Sequence, residues 1–144
     1  MEMPPEDRLG LDIKRAEQAL MTAKSSAVRT ADLTVAQYAT LLALAQHPGI
    51  SAAALARACL VTPQAMTAVL KTLEARGLIE RSAHPWHRRV LETRLTEDGR
   101  RALTSADKEA VRIERRLADE FTAEEQDMLR TLLARCVQAI ERDR

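Results

Sequence analysis

Residues 51–77 read SAAALARACLVTPQAMTAVLKTLEARG, and this stretch decides the fold. Ser51 is a good helix-capping residue, and a short alanine-rich helix is expected to follow it. Thr62 and Pro63 predict the start of a second helix, because threonine caps helices and proline is favoured at the first helical position. Gly77 is expected to end that helix. Two helices joined by a tight turn form a helix-turn-helix pattern.

The second of these helices, residues 63–76, divides into an apolar and a polar face. Its apolar side chains recur at spacings of three and four, which predicts that they face a core. They are Met66, Val69, Leu70 and Leu73. The opposite face carries Gln64, Thr67, Ala68 and Lys71. That face is left for solvent or for a partner.

The segments on either side of this pair extend the pattern. Two strand-like runs, 78–82 and 90–95, flank the basic segment AHPWHRR at 83–89. A hairpin with a basic tip beside a helix-turn-helix predicts a winged helix. Upstream, Thr34 and Gln37 form the signature of a capping box for another helix, whose expected apolar face is Val35, Tyr38, Leu41, Leu42 and Ala45. Downstream, Thr96 is expected to cap a long helix in whose first turn Gly99 is tolerated.

The composition agrees with a mainly α fold. The chain of 144 residues has 25 alanines, four glycines, five prolines and three aromatic residues. Alanine is the best helix former and contributes little to a sheet, so an all-β fold is excluded. The acidic start resembles no secretory signal, and no apolar run is long enough to span a membrane. We therefore expect a cytoplasmic protein with no membrane partner.

The helices at the two ends of the chain predict a homodimer. We expect one domain over residues 1–144, with a winged helix-turn-helix at 34–96 and dimerisation helices at 8–30 and 100–142. The terminal helices carry more apolar surface than one small core requires, and a two-fold dimer would bury it. The seam of the fifth helix is Leu103, Ala106, Ala110, Ile113 and Leu117, which repeats every three or four residues.

Charge is distributed unevenly along the chain. The formal net charge is only +1. Between residues 51 and 94, however, seven cationic side chains face three anionic ones, which gives that segment a net charge of +4. A basic centre between acidic ends indicates an anionic partner for the middle of the chain.

From Leu33 to Leu103 the sequence resembles the multiple-antibiotic-resistance-regulator (MarR) family of winged-helix transcription factors. The matching segments, in the family's order and spacing, are LTVAQ at 33–37, LA at 55–56, VTPQ at 61–64, LEARGLIER at 73–81 and LTEDGR at 95–100. The resemblance implies a homodimeric regulator, usually a repressor, that binds a pseudo-palindromic operator in double-stranded DNA. Many relatives release DNA when a small aromatic or phenolic effector binds.

The resemblance also implies which residues meet DNA. The fourth helix would enter the major groove, and the hairpin wing would contact the adjacent minor groove. The candidate DNA-binding residues are Ser51, Thr62, Gln64, Thr67, Ala68, Lys71, His87, Arg88 and Arg89, with Arg57 as a weaker candidate. In this assignment Gln64 pairs with adenine and Thr67 contacts a thymine methyl group. Lys71 and Arg88 attract phosphates, and Arg89 enters the minor groove.

The sequence departs from the family pattern at both parts of this surface. Many relatives carry basic residues where this chain has Ala68 and Thr72, so long cations contribute less to base reading. In the wing, His87 stands where relatives hold an aspartate that braces the hairpin. A histidine there predicts a phosphate contact that strengthens on acidification.

Two other interpretations of the function stay open at this stage. Cys59 or Cys136 could act as a redox sensor, with Arg57 near the first of them. Alternatively, the protein could bind DNA without any small-molecule effector. No catalytic motif appears, so no enzyme activity and no cofactor are expected. The pair His84 and His87 is too small to form a zinc site, and no residues of a ligand site can be identified.

Overall fold

The structure, a computed structural model, describes residues 2–87 and 91–142. Within those ranges the chain is mainly α-helical, which confirms the predicted fold class. In chain order the elements are a 3-10 turn (Pro5–Asp7), α1 (Gly10–Arg29), α2 (Val35–Gln46), α3 (Ala52–Ala58), α4 (Pro63–Ala75), β1 (Ile79–Ala83), β2 (Leu91–Leu95), α5 (Glu97–Asp119) and α6 (Ala123–Glu141).

Side-chain caps start five of the helices, and four of these caps are residues that the sequence predicted, namely Thr34, Ser51, Thr62 and Thr96. Thr34, Ser51, Thr62 and Thr122 each accept a hydrogen bond from the backbone N–H three residues further on. At α2 the side chain of Gln37 also accepts from the backbone N–H of Thr34, at 3.0 Å, which completes the capping box. These bonds satisfy N–H groups that have no partner inside a helix, and each such cap stabilises its helix by about 1 kcal/mol.

Three helices end in the same hydrogen-bonded turn, with one residue in the left-handed conformation. That residue is Asp32 after α1, Leu60 after α3 and Gly77 after α4, with φ of 58°, 56° and 72°. After α4, for example, the N–H of Gly77 donates to Glu74 and that of Leu78 donates to Leu73. This is the Schellman arrangement, in which glycine is the usual left-handed residue. Each turn redirects the chain sharply and satisfies the last carbonyls of its helix.

The chain divides into two compact units, Met1–Ala110 and Val111–Arg144. In the first unit, α2 contacts α1, α3, α4 and β2. The core side chains with at most 1% of their surface exposed include Leu41, Leu44, Leu55, Met66, Leu70 and Leu73. The predicted apolar face of α2 is wrong at Ala45, which is exposed, whereas Thr40, Ala43 and Leu44 are buried. Because α2 is covered from several sides, its buried surface is wider than one helical stripe.

The two strands form an antiparallel hairpin that is anchored to the core at its base. Ile79 pairs with Leu95 and Ala83 with Leu91. The N–H of Gly49, in the connection between α2 and α3, donates to the carbonyl of Thr93 at 3.2 Å. The first strand was predicted at 78–82, one residue earlier than β1. Leu78 instead closes the end of α4, and Val90 lies outside the described residues.

The second unit comprises the end of α5 and all of α6. Gln126 donates from Nε2 to the carbonyls of Ala118 and Phe121, at 2.9 and 3.3 Å, and so fixes the turn between the two helices. The apolar side chains of α6 are exposed within this single chain, as are several on α1. The α6 residues are Met128, Leu129, Leu132, Leu133, Val137 and Ile140.

No single helix within residues 2–87 and 91–142 has the length and apolarity of a membrane span. Helices α3 and α4 reach that length and apolarity only when they are combined, and the chain bends by 108° between them.

A tight joint connects the end of α4, the hairpin and the start of α5. The Thr96 hydroxyl donates to the carbonyl of Gly77 at 2.6 Å and accepts from the N–H of Gly99 at 3.0 Å. A Cβ atom at Gly99 would overlap the carbonyl oxygen of Leu78 and lie 3.0 Å from its carbonyl carbon. Gly99 is therefore required at this position, whereas the sequence predicted only that it is tolerated.

We predict that Gly99→Ala destabilises the protein by about 2 kcal/mol or more, because overpacking against backbone atoms cannot be relieved by a side-chain rotation. The measurement is the midpoint of urea unfolding. The control is Gly10→Ala, since no atom lies within 4 Å of the added methyl group there. That control should leave stability unchanged or slightly raised. Equal midpoints for the two variants would show that the joint is not tightly packed.

Candidate nucleic-acid interface

The outer face of α4 is open along its whole length. Gln64, Thr67, Ala68 and Lys71 are all exposed, as the sequence predicted. Their spacing of three and four residues places them in one stripe along the helix. Met66, Leu70 and Leu73 lie on the opposite side and are buried, so the core fixes which face α4 presents.

The side chains of this stripe differ in how far they are already hydrogen-bonded. The Thr67 hydroxyl donates to the carbonyl of Pro63 at 2.9 Å, and Thr62 is occupied as the cap of α4. The hydroxyl proton of Thr67 is thus used within the helix, and its methyl group remains for an apolar contact. Gln64 and Lys71 make no hydrogen bond or ion pair with the described residues, so both remain available to a partner.

Two further candidates lie on α3. Ser51 is exposed and caps α3 by accepting from the N–H of Ala54 at 3.2 Å. Arg57 is also exposed. The structure therefore leaves both within reach of a partner that approaches this part of the surface.

The remaining cations of the basic centre are not equally available. Arg76 lies 3.4 Å from both the Asp32 carboxylate and the Gln37 side-chain oxygen. Arg94 lies 3.2 Å from the Glu92 carboxylate. These two arginines contribute to the net charge of +4 but are paired with acceptors of the protein itself. Only the pairing of Arg76 with Asp32 lowers the charge that is free to meet an anionic partner, because Glu92 is already counted in the net charge of +4.

Two exposed aromatic rings, those of Trp86 and His87, lie in the wing. His87 is exposed, and Trp86 has 84% of its surface accessible. The candidates Arg88 and Arg89 lie outside the described residues. The sequence analysis gave no role to Trp86, although a large exposed aromatic side chain is a feature that can mark a binding surface.

His84, the first residue after β1, contacts both the turn of the wing and β2. Its Nδ1 accepts hydrogen bonds from the backbone N–H groups of Trp86 and His87, at 3.2 and 3.3 Å. Its Nε2 lies 3.4 Å from the Glu92 carboxylate across the hairpin. Both nitrogens of His84 therefore have partners. Within residues 2–87 and 91–142, no group of three or more histidine, cysteine, aspartate or glutamate side chains is placed to hold a metal ion.

A groove runs along the second half of α1 and reaches the start of α2. Its volume is about 490 Å³. Arg29 and Glu17 carry its charges, and Met21 and Val35 give it an apolar floor. Gln18, Thr22, Ser25 and Ser26 add polar groups. The sequence showed no polar cluster here, and the spacing within α1 does not reveal that Val35 of α2 completes the lining.

The thiol of Cys59 lies in a setting that disfavours its ionised form. Partial burial raises the pKa of Cys59, and a hydrogen bond with Thr40 offsets only part of that effect. A raised pKa reduces the thiolate fraction at neutral pH, and the thiolate is the reactive form. The neighbouring Arg57 is not among the causes of the shift. The raised pKa that partial burial gives Cys59 thus argues against this thiol as a redox sensor.

We predict slow alkylation of Cys59 by iodoacetamide at neutral pH, with a rate that rises through a midpoint above that of an unperturbed thiol. The direction follows from the sign of the shift, because a raised pKa postpones ionisation to higher pH. The rate would be followed by mass spectrometry in the Cys136→Ser variant, with a short cysteine-containing peptide as the reference. Reaction faster than that of the peptide at neutral pH would contradict the assignment.

Comparison with known proteins agrees with this geometry. A family model described as the MarR family matches residues 31–90. The HTH-type transcriptional repressor Rv2887 of Mycobacterium tuberculosis is 34% identical over 125 residues, which cover 87% of this chain and 90% of that protein.

Solved structures show the same fold. The transcriptional repressor CouR bound to a 23-mer DNA duplex has a TM-score of 0.81 and 31% identity, and the match covers 95% of this chain and 99% of CouR. Rv2887 in complex with p-aminosalicylic acid has a TM-score of 0.69 and 32% identity, with 90% and 98% covered. The chain therefore belongs to the MarR family and is a DNA-binding transcription regulator with a winged helix-turn-helix.

Proposed function

We propose that this protein is a homodimeric, ligand-responsive repressor that acts in the cytoplasm and has no enzymatic role. The observation that carries the DNA-binding part is the open stripe on α4, where Gln64 and Lys71 have no partner among the described residues. A helix with a fixed buried face and an unoccupied polar face has the geometry needed to enter a major groove.

Each candidate residue then has a distinct task on DNA. Gln64 can donate to and accept from the edge of adenine, while the methyl groups of Thr67 and Ala68 suit contact with thymine. Lys71 contributes a charge that attracts phosphate. Ser51 and Thr62 stand at helix starts, where backbone N–H groups favour an anion. We assign His87 and Arg88 to phosphates beside the wing, and Arg89 to the minor groove.

Dimer formation is supported by the apolar side chains that a single chain leaves uncovered. On α6, Met128, Val137 and Ile140 are each more than half exposed, and so are Leu11 in the first turn of α1 and Leu9 just before it. Monomeric soluble proteins rarely leave such side chains contiguous and uncovered. A second copy would bury both sets, and a two-fold axis would match a pseudo-palindromic operator. We therefore propose that residues 8–30 and 100–142 form the dimerisation region of a single 1–144 domain.

The groove on α1 is the candidate effector site. A small aromatic acid fits its composition, because Arg29 can bind a carboxylate and Met21 and Val35 can contact a ring. The side chains of Thr22, Ser25 and Ser26 can bind a phenolic hydroxyl group. The related Rv2887 structure holds p-aminosalicylic acid, a molecule of this class. The raised pKa of Cys59 disfavours the alternative of redox sensing through that cysteine.

For the DNA-binding face we predict different effects from two substitutions on α4. Lys71→Ala should weaken binding to all duplexes alike and lower the salt dependence by about one unit, because one phosphate contact is lost. Gln64→Ala should instead cost about 1–3 kcal/mol at one base pair and leave other sequences unaffected. Affinities would be measured by fluorescence anisotropy on a duplex selected from a random pool, at several salt concentrations.

The matched control for the loss of charge is Lys108→Ala, which removes an exposed lysine from α5. This variant should keep the salt dependence of the wild type. If Lys71→Ala and Lys108→Ala change the slope equally, α4 is not the helix that faces DNA.

For the effector we predict that Arg29→Gln weakens salicylate binding about tenfold or more, because a charge-assisted hydrogen bond is lost. Isothermal titration calorimetry would measure the affinity. Arg15→Gln is the control, since Arg15 is an exposed cation of α1 that does not line the groove. Equal affinities in the wild type and in Arg29→Gln would place the effector elsewhere.

A further inference from the structure

The turn at the near end of the wing is closed by a side chain. His84 Nδ1 accepts from the N–H groups of Trp86 and His87, two and three residues further along the chain. Asparagine and aspartate side chains close turns in the same way, by bonding to the backbone two residues on. In this chain an imidazole ring takes that part.

These bonds identify which nitrogen of the neutral ring carries no proton. A backbone N–H can only donate, so the Nδ1 atom that accepts from two of them carries no proton. The proton of the neutral ring is then on Nε2, which lies 3.4 Å from a Glu92 carboxylate oxygen. The other oxygen of Glu92 is 3.2 Å from Arg94 Nη2. The ring is thus held on one side by the turn and on the other by β2.

The two residues that hold the turn, His84 and Glu92, are more buried than the two aromatic rings that the turn presents to solvent. The side chains of His84 and Glu92 are only 26% and 19% exposed. Trp86 and His87 are exposed, and their rings lie against His84 with centroids 5.8 and 5.1 Å away. His84 therefore contacts both exposed rings of the wing through its own ring, and it contacts their backbone through Nδ1.

We propose that His84 is the positioning residue of the wing, which fixes Trp86 and His87 in the arrangement that meets DNA. The inference rests on the proposed function, since it takes the wing to be a DNA contact. His84 orders the turn in the free protein. Binding to DNA then carries a smaller entropic cost, because these side chains are already ordered.

The test uses two substitutions at one position. His84→Asn keeps an acceptor, because the Oδ1 atom of asparagine stands where Nδ1 of histidine does, whereas His84→Ala removes it. Trp86 is the only tryptophan of the chain, so its fluorescence anisotropy decay reports on the turn alone. For the anisotropy decay of the free protein, His87→Asn is the control, since it changes an exposed ring and keeps the backbone N–H that His84 binds.

In the free dimer, His84→Ala should shorten the slow component of the Trp86 anisotropy decay, while His84→Asn should keep it close to wild type. On the selected duplex, His84→Ala should weaken binding about threefold to tenfold, the cost of immobilising a few side chains on binding. His84→Asn should restore most of that affinity. Circular dichroism and the unfolding midpoint should match the wild type for both.

The free-protein measurement separates this inference from the proposed function. An unchanged Trp86 decay in His84→Ala would overturn the positioning role whatever the DNA result. A mobile Trp86 with unchanged affinity, in a protein whose Gln64→Ala variant has lost specificity, would overturn it as well. If the wild type bound no selected duplex, the proposed function would fail first and the inference with it.

Discussion

The close contact between Gly99 and the backbone of Leu78 is the constraint on which the DNA-binding part of the molecule depends. It brings the start of α5 against the residue that links the end of α4 to β1. The Thr96 hydroxyl ties the same three elements together through Gly77 and Gly99. The same contacts therefore fix both the direction of α4 and the position of the base of the hairpin.

The sequence predicted those features that depend on a few neighbouring residues. Thr34 and Thr62 were identified as caps because a capping side chain bonds within its own turn of helix. Gly77 was identified as a helix end for the same reason. The exposed stripe on α4 followed from the spacing of Met66 and Leu70, since helical periodicity is a local property.

What the sequence could not predict depends on contacts between distant parts of the chain. Leu44, which lies outside the predicted face, is buried because several elements cover α2, and no periodicity within α2 reveals this. Gly99 is required only because Leu78 lies against it. His84 closes the wing turn with its ring, and no turn rule assigns that part to histidine. The groove on α1 needs a residue of α2, Val35, to complete it.

Contacts within the protein also determine which cations of the basic centre, residues 51–94, can meet a partner. Arg76 and Arg94 are paired with Asp32 and Glu92 of the protein itself. Exposed ion pairs of this kind contribute little to stability, about 0–1 kcal/mol each. Within α4 itself, Lys71 is the one cationic residue. Recognition then depends more on polar and apolar contacts from Gln64 and Thr67, and on the wing.

The central claim is that two copies of α4 act together on one face of a duplex. Its most direct test is to insert five base pairs between the two half-sites of the selected operator and to measure affinity. Half-site centres about 34–36 Å apart place both major grooves on one side, and the insertion turns one half-site to the opposite face. The account predicts a loss of affinity of about a hundredfold or more, since one half of the specific contact is removed. Undiminished affinity after the insertion would contradict it.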